Sequence, residues 1–169
     1  MKKTLILHDL SKEELVNFKD ILMNYTIFSA LPTIAQCIGC FNCWVKTPCQ
    51  CVIKDRGREF SHLLAKHNEL IVISRNLFGG FSPSIKAVID RSIGYILPYF
   101  EIRDNNEMHH KMRYPKSFNL KYLFYGTDIF DEEKEIAHKL VAANAQNFGS
   151  DKYEVRFYPT ADEAFEVLK

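Results

Sequence analysis

Glu69-Leu-Ile-Val-Ile-Ser74-Arg-Asn-Leu-Phe78-Gly79-Gly80-Phe-Ser82-Pro83-Ser-Ile85-Lys-Ala-Val88-Ile89 is the stretch from which the fold is read. Glu69 to Ser74, centred on Leu-Ile-Val-Ile, is a buried strand. A turn at Gly79-Gly80 follows. Ser82 then suits a helix N-cap and Pro83 the first helical position, where a missing amide hydrogen costs nothing. Ile85, Val88 and Ile89 give that helix a buried stripe. A strand that turns through glycine into a helix is half of a parallel crossover unit.

Upstream, Thr4 to Leu7 is a short apolar strand that ends at His8-Asp9. Ser11-Lys-Glu-Glu14 forms a capping box and opens a helix with Leu15, Phe18, Ile21 and Leu22 at helical spacing up to Asn24. Tyr25 to Ala30 is a second strand, ended by Pro32. Arg58 to His67 is a helix with Phe60, Leu63, Leu64 and His67 on one face. Downstream, the apolar stretch Ile93 to Phe100, interrupted by Pro98, reads as core or as a dimer surface. Glu101 to Ser117 reads as polar and irregular. Leu120 to Tyr125 is a fourth strand, closed by Gly126-Thr127-Asp128. Asp131 to Phe148 is a long helix with Ile136, Leu140, Val141 and Phe148 inward, stopped by Gly149. Tyr153 to Tyr158 is a fifth strand, and a capping box at Thr160 to Glu163 opens the last helix.

This alternation predicts a single α/β domain over residues 1–169, a three-layer sandwich with a five-stranded parallel sheet between helices. The strand order expected is 2-1-3-4-5, the flavodoxin-like one, in which ligands sit beyond the carboxyl ends of strands one and three. Apolar residues make up 47% of the chain, charged residues 25%, and the net charge is +1. That balance gives no reason to expect a nucleic-acid partner or a membrane surface. The N-terminus becomes polar too soon for a signal peptide, so the cytoplasm is the expected compartment.

All five cysteines fall between Cys37 and Cys51, in Cys37-Ile-Gly-Cys40-Phe-Asn-Cys43-Trp-Val-Lys-Thr-Pro-Cys49-Gln-Cys51. Buried thiols that merely fill space scatter along a chain. Two-residue gaps let neighbouring thiolates converge on one metal centre, as iron–sulfur runs do. In a reducing compartment such a cluster points to metal or redox chemistry rather than a disulfide scaffold. A cluster, a zinc ion on four of the five, or a reversible disulfide such as Cys40–Cys43 all satisfy the spacing.

The cysteine loop through Cys51-Val-Ile-Lys-Asp55 resembles that of flavodoxin-like NAD(P)H-dependent FMN oxidoreductases, including the iron–sulfur flavoproteins. So does Phe78-Gly-Gly-Phe-Ser-Pro-Ser-Ile-Lys86-Ala-Val-Ile-Asp90-Arg91. The stretch Pro98-Tyr-Phe100 with His109-His110-Lys-Met-Arg113-Tyr114 is similar to one uncharacterised branch of that family. The resemblance implies an FMN oxidoreductase that takes hydride from NAD(P)H and passes electrons to a small-molecule or protein acceptor. Phe78, Gly79 and Gly80 would line the isoalloxazine ring, Gly126 and Thr127 would close its other side, and Trp44 would lie nearby. A [4Fe–4S] cluster would use Cys37, Cys40, Cys43 and either Cys49 or Cys51, with Cys51 the better match. A homodimer or higher homo-oligomer is the family expectation. No protein acid or base is needed for the hydride step, so no catalytic residue is assigned.

The turn after strand one departs from this pattern. His8-Asp-Leu-Ser-Lys-Glu-Glu14 has no glycine and a single hydroxyl, and it places Asp9, Glu13 and Glu14 where a phosphate would sit. Such carboxylates suit a helix N-terminus and repel a dianion. A second reading follows: a flavodoxin-like protein without an FMN phosphate cradle, acting through its cysteines as a metal-binding or thiol-redox module. His8 reads as an interior histidine, His109-His110 as a polar surface or ligands, and Lys86, Asp90 and Arg91 as a helical ion pair plus an oligomer contact.

Overall fold

The structure is a computed structural model that describes residues 3–103, 106–150 and 152–168, apart from the side chains at 17 and 19. Strand β1 (Thr4–His8) leads through a three-residue turn into α1 (Lys12–Leu15). The expected single helix up to residue 24 is instead α1, a tight 3-10 turn at Val16–Phe18, and α2 (Lys19–Leu22). The tightened turn seats Phe18 against Phe165, with ring centroids 4.6 Å apart. Next come β2 (Thr26–Ser29), α3 (Asn42–Val45), α4 (Phe60–Lys66), β3 (Glu69–Arg75) and α5 (Pro83–Asp90). Helix α5 starts as its sequence predicts, with the Ile85 amide donating to Ser82 Oγ and Pro83 in the first turn.

A 3-10 turn at Arg91–Tyr95 leads into β4 (Ile96–Ile102), which pairs antiparallel with β5 (Met108–Met112). The stretch expected to be irregular therefore contains half of a hairpin; residues 104 and 105 lie outside the described residues. Pro98 falls where the register shifts between Ile96 and Phe100, the kind of irregularity that accommodates a residue with no amide hydrogen. The remaining elements are β6 (Asn119–Tyr125), α6 (Asp131–Phe148), β7 (Lys152–Tyr158) and α7 (Ala161–Glu166).

The main sheet is parallel, in the order β2-β1-β3-β6-β7. Without the β4–β5 hairpin in the count, this is the order 2-1-3-4-5. Central β3 is buried along Glu69–Ser74. Strand alternation divides the core. Leu5, Leu7, Leu70, Val72, Tyr122 and Phe124 face α4, α5 and α6. Ile6, Ile71, Ile73 and Leu123 face Phe18, Leu22 and Phe165 on the opposite side. Helix α6 buries Ala137, Val141, Ala145 and Phe148. Ile136, expected inward, is 51% exposed, because one residue's step turns it about 100° off that stripe.

Candidate functional site

The loops at the carboxyl edge of the sheet hold the residues singled out by sequence. The loop after β2 turns twice through left-handed backbone, at Gly39 (φ 66°) and Phe41 (φ 53°). These turns bring Cys37, Cys40 and Cys43 together with Cys51 around one small, predominantly apolar cavity of about 40 Å³, walled also by Ile53, Arg91 and Ile93. Cys49 is not in that wall. Its own φ of 65° sends it toward Tyr114, with which its thiol is hydrogen-bonded, and burial raises its pKa. All five cysteines are free thiols. Burial pushes the Cys43 thiol up to about 11, and negative charge on Cys51, Cys37 and Cys40 would push the same way.

Among the described residues no three His, Cys, Asp or Glu side chains are placed to hold one metal ion. A single tetrahedral zinc would draw four sulfurs to about 3.8 Å from one another, given Zn–S bonds of ~2.3 Å. The four cysteines here line a cavity, with Cys37 and Cys40 exposed to solvent.

Trp44 anchors this loop to the fold. Its indole Nε1–H is shared between the carbonyls of Ile93 (3.0 Å) and Ile96 (2.9 Å), and its ring stacks on Phe41. His110 lies 5.2 Å from the Trp44 ring and 4.3 Å from Phe100, so it belongs to this packing, while His109 pairs with Glu107. Gly94 lets the Arg91–Tyr95 turn approach closely: a Cβ there would stand 3.2 Å from the Cys43 Cβ and the Cys49 Cα.

Sequence reading missed Arg91. Lys86 and Asp90 form the expected ion pair, at 2.5 Å. Arg91 is no exposed oligomer contact, because its side chain is 0% exposed. It donates to Asp55 Oδ2 (2.6 Å), to the Ala35 carbonyl (3.2 Å) and to the Ile53 carbonyl (3.3 Å). Burial alone would lower its pKa; hydrogen bonds with Asp55 and Cys51 raise it overall. The Arg91 guanidinium in turn holds the Asp55 carboxyl below its usual range.

The turn after β1 is arranged differently. Asp9 is buried and accepts from the Arg75 amide (3.0 Å), the Tyr125 hydroxyl (2.9 Å) and the Ser74 hydroxyl (3.4 Å). It joins the ends of β1, β3 and β6. The Leu10 amide donates to His8 Nδ1, the Ser11 amide to the Glu14 carboxylate (2.7 Å) and the Glu14 amide to Ser11 Oγ. The chain's own groups thus occupy donors that a phosphate would need, and one of them is a carboxylate. These residues do not fit the phosphate of FMN at this turn.

The six residues expected around a flavin ring lie on three segments, those that follow β2, β3 and β6. Phe78 is 87% exposed at the tip of a turn closed by mutual Leu77–Gly80 backbone hydrogen bonds. Gly79, at φ 78°, packs against α6 so closely that a Cβ would meet Ile136 Cβ at 2.6 Å and the Glu133 carbonyl at 2.7 Å. Gly126 and Thr127 line a separate surface depression with Ile129, Lys134 and Tyr158. Trp44 lies with the cysteine loop. Among the described residues no helix is long and apolar enough to cross a membrane.

No protein-family model matches the sequence, and neither does any curated protein. Solved structures do match. The NAD(P)H:quinone oxidoreductase from Methanothermobacter marburgensis superposes with a TM-score of 0.60 at 13% identity, over 99% of this chain and 94% of that one. The FMN-dependent NADH-azoreductase from Bacillus anthracis, in complex with FMN, gives 0.57 at 13%, over 99% and 96%. General stress protein 14 from Treponema denticola, also in complex with FMN, gives 0.57 at 13%, over 98% and 91%. At such identities the likeness is one of fold. The chain is a flavodoxin-like α/β protein.

Proposed function

We propose that this chain is an electron-transfer oxidoreductase built on the flavodoxin-like fold, whose redox centre is an iron–sulfur cluster held by Cys37, Cys40, Cys43 and Cys51. The observation that carries this reading is the one apolar cavity lined by those four cysteines and not by Cys49. The donor set is all thiolate, the choice for iron–sulfur cores. When bound, the cluster supplies single-electron transfer. The chain's residues do the rest. Ile53 and Ile93 give the cavity wall its apolar side chains, and the Cys43 thiol would release its proton on metal binding, as ligation requires. Ile38 and Phe41 are exposed on the loop beside the cavity and form the surface an acceptor would meet. That acceptor is a small molecule or a protein, the working form a homodimer, and the compartment the reducing cytoplasm.

A second reading is an NAD(P)H-dependent FMN oxidoreductase. It is favoured by the fold shared with two FMN-bearing proteins, one of them an azoreductase, and by the exposed Phe78 turn at the carboxyl end of β3. It requires the flavin phosphate to be held away from the β1 turn.

The experiment that separates the two is anaerobic purification with iron and sulfide analysis, an absorption spectrum, and titration with FMN. Iron and sulfide bound in stoichiometric amount without flavin support the first reading. Tight FMN binding with no iron overturns it in favour of the second. A chain that takes up neither overturns both.

A further inference from the structure

Arg91 stands at the end of α5, far in sequence from the cysteines, yet its guanidinium forms part of their cavity wall. Its bonds reach both ends of the cysteine loop. The Ala35 carbonyl lies two residues before Cys37, the Ile53 carbonyl two residues after Cys51, and Asp55 two residues further. Asp55 also accepts from the Ala35 amide, so Arg91 and Asp55 together clasp the neck of the loop. The surroundings are built to this shape: a Cβ on Gly57 would stand 3.0 Å from Arg91 Nη1 and 2.3 Å from Ile34 Cδ1. A guanidinium does not deprotonate in proteins, so a full positive charge is fixed beside the thiols. Its Nε is buried with no hydrogen-bond partner, which leaves a donor uncommitted.

We infer that Arg91 is a positioning residue of the thiol cavity, which clasps the loop that carries the four cysteines and supplies the fixed counter-charge for the anionic centre they hold. The inference rests on the cluster reading above and assigns what tunes it. Four thiolates outweigh the positive charge of an iron–sulfur core, and each added electron makes the assembly more negative. A buried cation beside it favours the reduced state, because cluster potentials follow local charge and hydrogen bonding. Asp55 partly offsets that cation, so the two residues act on the potential in opposite senses.

The test compares wild type, Arg91→Gln, Arg91→Lys and Asp55→Asn after anaerobic reconstitution, reading iron per chain and midpoint potential. Circular dichroism first establishes that each variant retains its fold. The expected result is a more negative potential for Arg91→Gln, a more positive one for Asp55→Asn, and an Arg91→Lys value between wild type and Arg91→Gln. Iron retention should fall severalfold in Arg91→Gln and be partly rescued by lysine. A clasp with no electrostatic role would lose iron in both neck variants with no opposed shift of potential, and that result overturns the inference. Wild type and variants that load iron equally at one potential overturn it while leaving the cluster reading intact. Wild type that takes up no iron overturns both together. If Arg91→Gln fails to fold, the sign of the Asp55→Asn shift decides: a negative shift or none overturns the inference.

Discussion

Two loops leave the same edge of the same sheet, one after β1 and one after β2, and they handle their polar groups in opposite ways. Most polar groups of the β1 turn are already bonded, although the buried His8 Nε2 has no partner. Asp9 is bonded by β3 and β6, the Ser11 and Glu14 backbone and side chains cap each other, and His8 accepts from Leu10. The β2 loop is tied to the rest of the fold, by Arg91 at Asp55 and by Trp44 on the Ile93 and Ile96 carbonyls, and four of its cysteines line a cavity. A loop that closes on its own groups has little left for a ligand. A loop clasped from outside presents its chemistry inward, which is the arrangement that suits a bound centre.

The largest expected effect breaks the clasp. Asp55→Ala leaves the Arg91 charge buried without its carboxylate, and removing one partner of a buried pair costs about 3–5 kcal/mol. Asp55 keeps one edge exposed, so a loss near about 3 kcal/mol is expected in urea unfolding. A loss below about 1 kcal/mol would mean that the loop is not held from outside.

The next concerns the β1 turn. Burial lowers the His8 pKa to about 4, with the Arg56 charge acting the same way, from an ordinary value of 6.5. The folded state therefore resists protonation, and the unfolded state binds the proton first as pH falls. Stability is fully present above pH 6.5, is lost as pH falls from 6.5 toward 4, and changes no further below, for a total of about 3 kcal/mol from this group. His8→Asn keeps an acceptor for the Leu10 amide and removes the titration. Its unfolding free energy should show that much less pH dependence across the window. Identical profiles for wild type and variant would show that His8 is not sealed in the folded turn.

Smaller again is Gly79→Ala. The residue sits at φ 78° with the Glu133 carbonyl 2.7 Å from the position of a Cβ. Strain and overpacking together give a loss of about 2 kcal/mol. If Gly79 instead serves only a ligand, stability should be unchanged and any effect confined to FMN binding.

These residues also show how much was legible beforehand. Central β3 and the start of α5 were readable because an unbroken apolar run and a Ser-Pro cap have few other uses. The strand order followed from the alternation. The β4–β5 hairpin was not legible: Met108 to Met112 carries two adjacent histidines and a lysine, which mask any period of two. Arg91 was missed because a charged residue at a helix end reads as exposed unless a partner is known, and Asp55 lies thirty-six residues away. Gly79 resembled a ring contact by its motif, whereas its packing against α6 already accounts for the glycine. Spacing alone left Cys49 and Cys51 equivalent in geometry. The left-handed backbone at Cys49, which no spacing encodes, turns that thiol toward Tyr114.

The finest test of the contrast is Trp44→Phe. Phenylalanine keeps an aromatic surface for Phe41 and His110 but removes the indole N–H shared by the Ile93 and Ile96 carbonyls. Losing that donor should cost about 1 kcal/mol. The consequence should be local. Amide exchange across Cys43 to Lys46 should quicken, while Leu10 to Glu14 keep their wild-type protection, because the Leu10, Ser11 and Glu14 amides bond within the turn. Faster exchange in both segments would mean that the two loops open together. The self-closed turn and the externally held loop would then be one cooperative unit, and the division between them would not hold.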